Sequence, residues 1–171
     1  MNAKLRNQPT QAGDIVTCFF PHAENVERPG PKLRPALVVK VEGELVGEFL
    51  NVAYGTGQDT PDKNTSRTAG AHYFHMDPAP SGNALKVQTT FNMAKVVRLP
   101  FTAEWFAPWP SRNTILVCRV PEARLPEAKA AFDAGCQITA SRTGSPPVVT
   151  VSVKPRRRVV SLQTPPLGPA S

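Results

Sequence analysis

Residues 13–20, GDIVTCFF, and residues 33–41, LRPALVVKV, decide how this chain is read. Gly13-Asp14 is a turn signal. The run from Ile15 to Phe20 that follows is apolar on both faces, the pattern of a strand buried on both sides. The second stretch predicts a strand from about Pro35 to Val41. Between the two lies a long loop, 21–33, rich in proline, glycine and charge.

Reading outward, a turn around Glu42-Gly43-Glu44 leads to a strand over 46–54, and Gly55 to Ala69 is a second long polar loop. A short strand is expected over 71–76. Residues 77–83, DPAPSGN, are turn chemistry throughout. Residues 85–91 and 93–99 read as two extended segments. Residues 100–113 are irregular, with Trp105, Phe106 and Trp109 packing over a barrel mouth, and 114–120 is a strand. Short apolar runs between turn residues are the signature of antiparallel β structure. A helix follows, with Pro126 suited to its first position and Gly135 to its end. Leu125, Ala128, Phe132 and Cys136 give it one apolar face. The expected fold is mainly β with a C-terminal helix, a small curved barrel of six or seven strands. Residues 1–11 form a flexible leader, 12–139 the barrel domain, and 140–171 a disordered Pro/Arg-rich tail with a strand-like patch at Val148–Val153.

Composition agrees with this. The chain has 171 residues, about one domain, and 40% of them are hydrophobic, enough for a core. Its 19 prolines are about double the average share and argue against a helical bundle or coiled coil. No apolar run is long enough to span a bilayer, and the polar start has no secretory h-region. The cytoplasm is the expected compartment, with no membrane partner. The net charge of +7 is uneven. Residues 141–171 hold five basic residues and no acidic one, leaving 15 basic and 13 acidic in residues 1–140. The high pI therefore reports the tail, where Lys154-Pro155-Arg156-Arg157-Arg158 is either a phosphate-binding arm or a solubilising extension. Cys18, Cys118 and Cys136 are widely spaced and form no zinc pattern, so no metal and no cofactor is expected.

Arg34 is the first candidate for chemistry. It stands where a loop runs into a buried strand, and Pro35 holds its backbone out of the helical region. A guanidinium held this way is a planar, permanently charged phosphate ligand. The competing reading is a structural arginine paired with Glu24 or Glu27.

A GDIV strand, a polar loop, RPALVV, and then Val52-Ala53-Tyr54-Gly55-Thr56 together resemble the MazF/PemK family of type II toxin–antitoxin systems. The layout of residues 12–138 is similar, and the specific part is 13–56. The resemblance implies an SH3-like barrel (MazF/PemK/CcdB-like). It also implies a homodimer, metal-independent cleavage of single-stranded RNA, and neutralisation by a cognate antitoxin. By position, Arg34 matches the family's loop-to-strand arginine and Thr56 its strand-end threonine. RNA cleavage that uses the 2′-OH as nucleophile passes through a dianionic phosphorane. It needs a fixed cation, a hydrogen-bond donor and a proton shuttle. Arg34 supplies the first and Thr56 the second. His22, Glu24 and Glu27 are the loop's candidates for the third, His22 being the better suited chemically.

The catalytic set expected is Arg34, Thr56, His22 and Glu27. The RNA-binding set is Glu24, Lys32, Gly55, Gln58, Lys86 and Gln88. One departure stands out. Where many family members carry an Asp-Gln pair, this chain has Val87-Gln88 behind Lys86, and the carboxylate is gone. That leaves open a catalytically weak or inactive module binding RNA, DNA or a protein partner. His72 and His75 lie three apart in a short strand and point to opposite faces. Tyr73 and Trp109 are the best candidates for base stacking.

Overall fold

The computed structural model describes residues 10–22, 24–43, 49–57, 70–78, 85–143 and 148–150. The elements are β1 (Asp14–Cys18), β2 (Arg34–Glu42), β3 (Phe49–Thr56), β4 (Tyr73–Met76), β5 (Thr89–Pro100), β6 (Leu116–Arg119), α1 (Leu125–Thr143) and β7 (Val148–Thr150), with a 3-10 turn at Glu122–Arg124 before α1. Six strands form a curled antiparallel half-barrel in the order β4-β5-β3-β2-β1-β6, and β7 joins β5 in parallel. The fold is mainly β with one C-terminal helix, as expected.

All five residues of β1 are buried, in keeping with its two apolar faces. Two of them are polar: Thr17, whose hydroxyl donates to the Ala107 carbonyl at 2.6 Å, and Asp14. One of its oxygens accepts the Gln11 N–H at 3.1 Å, and the other lies 2.8 Å from Arg119 Nε as an ion pair. The two segments expected over 85–99 are instead one strand, beginning at Thr89. Tyr54 pairs with Asn92 but Ala53 pairs with Val96, so residues 93–95 bulge out of the ladder. A bulge bends its strand and increases local twist, which helps the sheet curl.

The sheet buries both faces. On one face, Val16, Cys18, Ala36, Val38, Leu50 and Val52 close around Trp105 and Phe106. On the other, Ile15, Leu37, Ala53, Phe74, Phe91 and Met93 are covered by Ala128, Ala131 and Phe132 of α1. Each large side chain fully buried in this way contributes about 1.5–3 kcal/mol. Trp105 and Phe106 are thus core rather than a cover over the mouth. Trp109 packs with the cluster under α1.

Gly135 does not end the helix, which continues to Thr143. A Cβ at Gly135 would collide with the Met93 carbonyl. The glycine is there because helix and bulge pass too close for any side chain. Leu125, assigned to the apolar face, is 38% exposed. The tail begins differently from the expectation: 140–143 are helical, and 148–150 form β7 within the expected strand-like patch. Residues 1–9, 144–147 and 151–171 lie outside the described residues, and with them most of the leader and tail.

Burial pushes the Cys18 thiol far up and the Cys118 thiol up to about 11, so both are protonated at neutral pH. No helix among the described residues is long and apolar enough to cross a membrane.

Candidate nucleic-acid interface

β2 and β3 pair with Ala36 opposite Tyr54. Continuing that register by two residues sets Arg34 opposite Thr56, the last residue of β3. Thr56 pairs with Thr90 of β5, and Thr90 pairs with His75 of β4. Residues directly opposite one another project from the same face of a sheet. Arg34, Thr56, Thr90 and His75 therefore form one row across four adjacent strands. With strands about 4.8 Å apart, the row is about 14 Å long at the backbone. It lies on the face of the sheet that carries Ala36, Val38, Leu50 and Val52, where the apolar core gives way to polar side chains.

Arg34 opens the row. Its guanidinium carbon stands 5.9 Å from the centre of the Tyr54 ring, and Lys95 Nζ stands 5.8 Å from the same ring. Tyr54 is in turn held edge-on by Phe20, with ring centres 5.1 Å apart. Among the described residues no carboxylate lies within ion-pair distance of Arg34. The structural pairing with Glu24 or Glu27 is not formed, and both carboxylates are exposed.

At the far end, His75 Nδ1 is 2.9 Å from Thr90 Oγ1. Thr90 is buried and His75 half-buried, so a fixed hydroxyl orients the ring, and among the described residues Nε2 has no hydrogen-bond partner. Two residues further along each strand, just past the Met76–Thr89 pair, Gln88 Nε2 donates to Asp77 Oδ1 at 2.7 Å. Asp77 follows β4 directly, so a carboxylate of the neighbouring chain segment lies beside Gln88. Val87 itself is 50% exposed.

The other expected residues divide. His22 lies in an exposed turn, bridged to Asn25, and Glu24, Glu27 and Lys32 are exposed. Among the described residues no hydrogen bond or ion pair joins His22, Glu24 or Glu27 to Arg34. Lys86 is exposed. Gly55 is buried within β3, opposite Phe91, and any side chain there would collide with the Pro35 carbonyl and the Phe91 ring. Its lack of a side chain is explained by packing at the strand crossing. Gln58 lies outside the described residues. His72 is half-buried, with its ring tilted 38° against that of Tyr73 and ring centres 4.2 Å apart; burial, and then the charge of Arg142, holds it below the usual histidine range.

His75, Thr90, Asp77 and Asn92 are members of this surface that the sequence reading did not assign to it. Only the cross-strand register brings them together. An open, mostly apolar groove of about 870 Å³ runs elsewhere, between α1 and β2, past Leu37, Val39, Leu125 and Phe132. It contains neither Arg34 nor Thr56.

No family profile matches the chain, and no curated protein matches it. Among solved structures it is similar to an endoribonuclease from a mycobacterial species, at 12% identity and a TM-score of 0.45, over 75% of this chain and 91% of that one. It is also similar to a mycobacterial endoribonuclease in complex with its cognate antitoxin. There the identity is 14% and the TM-score 0.45, over 80% of this chain and 97% of that one.

Proposed function

We propose that the chain is an endoribonuclease of the toxin–antitoxin kind, cleaving single-stranded RNA without a metal. The observation that supports this best is the row Thr56–Thr90–His75, with Arg34 set beside Thr56 when the β2–β3 register is continued: an arginine with no carboxylate partner among the described residues at one end and an oriented imidazole at the other. The sequence resemblance over 13–56 supports it independently.

In this reading the 2′-OH of a nucleotide attacks the adjacent phosphorus, and His75 Nε2 takes its proton. Arg34 holds the two negative charges of the phosphorane, and the Thr56 hydroxyl donates to a non-bridging oxygen. The P–O5′ bond then breaks, a solvent water protonates O5′, His75 returns its proton to solvent, and the products end in a 2′,3′-cyclic phosphate and a 5′-OH. His75 replaces His22 and Glu27 as the preferred proton shuttle, because it shares the row with Arg34 and they do not. A cognate antitoxin would neutralise the chain by covering the face that carries this row, and a homodimer belongs to the same proposal.

Expression alone tests the reading. Induction in bacteria without an antitoxin should arrest growth, and Arg34→Ala should restore it while the variant stays folded by circular dichroism. Normal growth with abundant soluble wild-type protein would instead favour the second reading, a binding module on the same fold. The absence of a carboxylate at Val87 is what keeps that second reading in play.

A further inference from the structure

We infer that Asn92 reads a base of the bound strand and selects a keto base, uracil or guanine; the inference rests on the ribonuclease reading above. Asn92 lies opposite Tyr54 on one side and Tyr73 on the other, so the three side chains project from one face of β3, β5 and β4. This row runs beside Arg34–Thr56–Thr90–His75, two residues along each strand, about 7 Å away.

The Asn92 amide has a fixed orientation. Its side-chain oxygen accepts the Ala94 backbone N–H at 3.0 Å, a contact made by the bulge that follows Asn92. A backbone N–H can only donate, so the atom facing it is the oxygen and the amide nitrogen points the other way. Among the described residues Nδ2 has no hydrogen-bond partner, yet it is not among the sealed polar atoms, and Asn92 is half-buried. What remains is a group that donates and cannot accept. A carbonyl at O4 of uracil or O6 of guanine satisfies it. The amino groups of cytosine and adenine at the corresponding position would set N–H against N–H.

The surroundings suit a base attached to a phosphate. Tyr73, backed by His72, offers a ring for stacking. Tyr54, with Arg34 and Lys95 on it, gathers two cations beside the same spot.

The test is binding of single-stranded oligodeoxynucleotide hexamers, which lack the 2′-OH and are not cut. Full-length protein should bind oligo-deoxyuridine about 5-fold more tightly than oligo-deoxycytidine, and oligo-deoxyinosine more tightly than oligo-deoxyadenosine by a similar factor. Asn92→Ala should level both pairs. Asn92→Asp keeps an oxygen for the Ala94 amide and presents an acceptor, so it should reverse the preference toward cytosine and adenine. It also reads the result if Asn92→Ala unfolds. Equal binding by the wild type, or a preference unchanged in the variants, overturns the inference alone. Failure to bind any hexamer overturns it together with the ribonuclease reading.

Discussion

The β2–β3 hairpin has an arginine against an aromatic ring at each end, and the two ends are built for different purposes. At the end where Glu42 faces Phe49, the Arg98 guanidinium carbon lies 3.6 Å from the Phe49 ring centre, and Arg98 Nε pairs with Glu42 at 2.6 Å. Lys40 adds a second cation to the same carboxylate at 2.9 Å. At the other end Arg34 stands 5.9 Å from the Tyr54 ring centre, and no carboxylate of the described residues pairs with it. An arginine tied into carboxylates has committed its donors to the fold. One held by a proline and a ring keeps its charge and its planar fork for an incoming anion. In this comparison the first end is tied down by ion pairs, and the second is the one the proposed chemistry uses.

The sharpest way to break it is Arg34→Ala. RNA cleavage should fall by about 10²–10³-fold, the effect of removing one charge-stabilising group from a phosphoryl transition state. Unfolding free energy, measured with urea, should change by less than about 0.5 kcal/mol. His75→Asn should lower single-turnover cleavage by about 10²-fold, as for loss of a general acid–base group, whereas His22→Asn should leave it unchanged. Arg98→Ala should show the opposite pattern, a loss of about 1 kcal/mol in stability with cleavage per folded molecule retained.

The smallest effect is acid sensitivity. Hydrogen bonds from Arg98, then Lys40, then Asn51 lower the Glu42 carboxyl from 4.5 to about 2. A carboxyl lowered on folding stabilises the protein fully above the unfolded value. That contribution disappears as pH falls from about 4.5 toward 2. Urea titrations across this range should lose about 0.5 kcal/mol from this site, and Glu42→Gln should lack that part of the slope.

Arg34 is legible in the sequence because its constraint is local: the proline that fixes its backbone is the next residue. The strands are legible for the same reason, as apolar runs between turn residues. Gly135 is misleading because a glycine near the end of an apolar periodicity looks like a helix stop. Its real cause, the Met93 carbonyl, lies on another element. β5 looks like two segments because its bulge interrupts the alternation at 93–95. The contacts of His75 and Asp77 escape a linear reading since they depend on pairing across strands. His75 meets Thr90 and Asp77 meets Gln88 only once β4 has docked on β5.

One incubation tests the central assignment most directly. Purified full-length protein is mixed with a long single-stranded RNA in excess EDTA, and the fragment ends are mapped. The arrangement of Arg34, Thr56 and His75 predicts fragments with 2′,3′-cyclic phosphate and 5′-OH ends. RNA left intact, cleavage abolished by the chelator, or fragments ending in 3′-OH would contradict it.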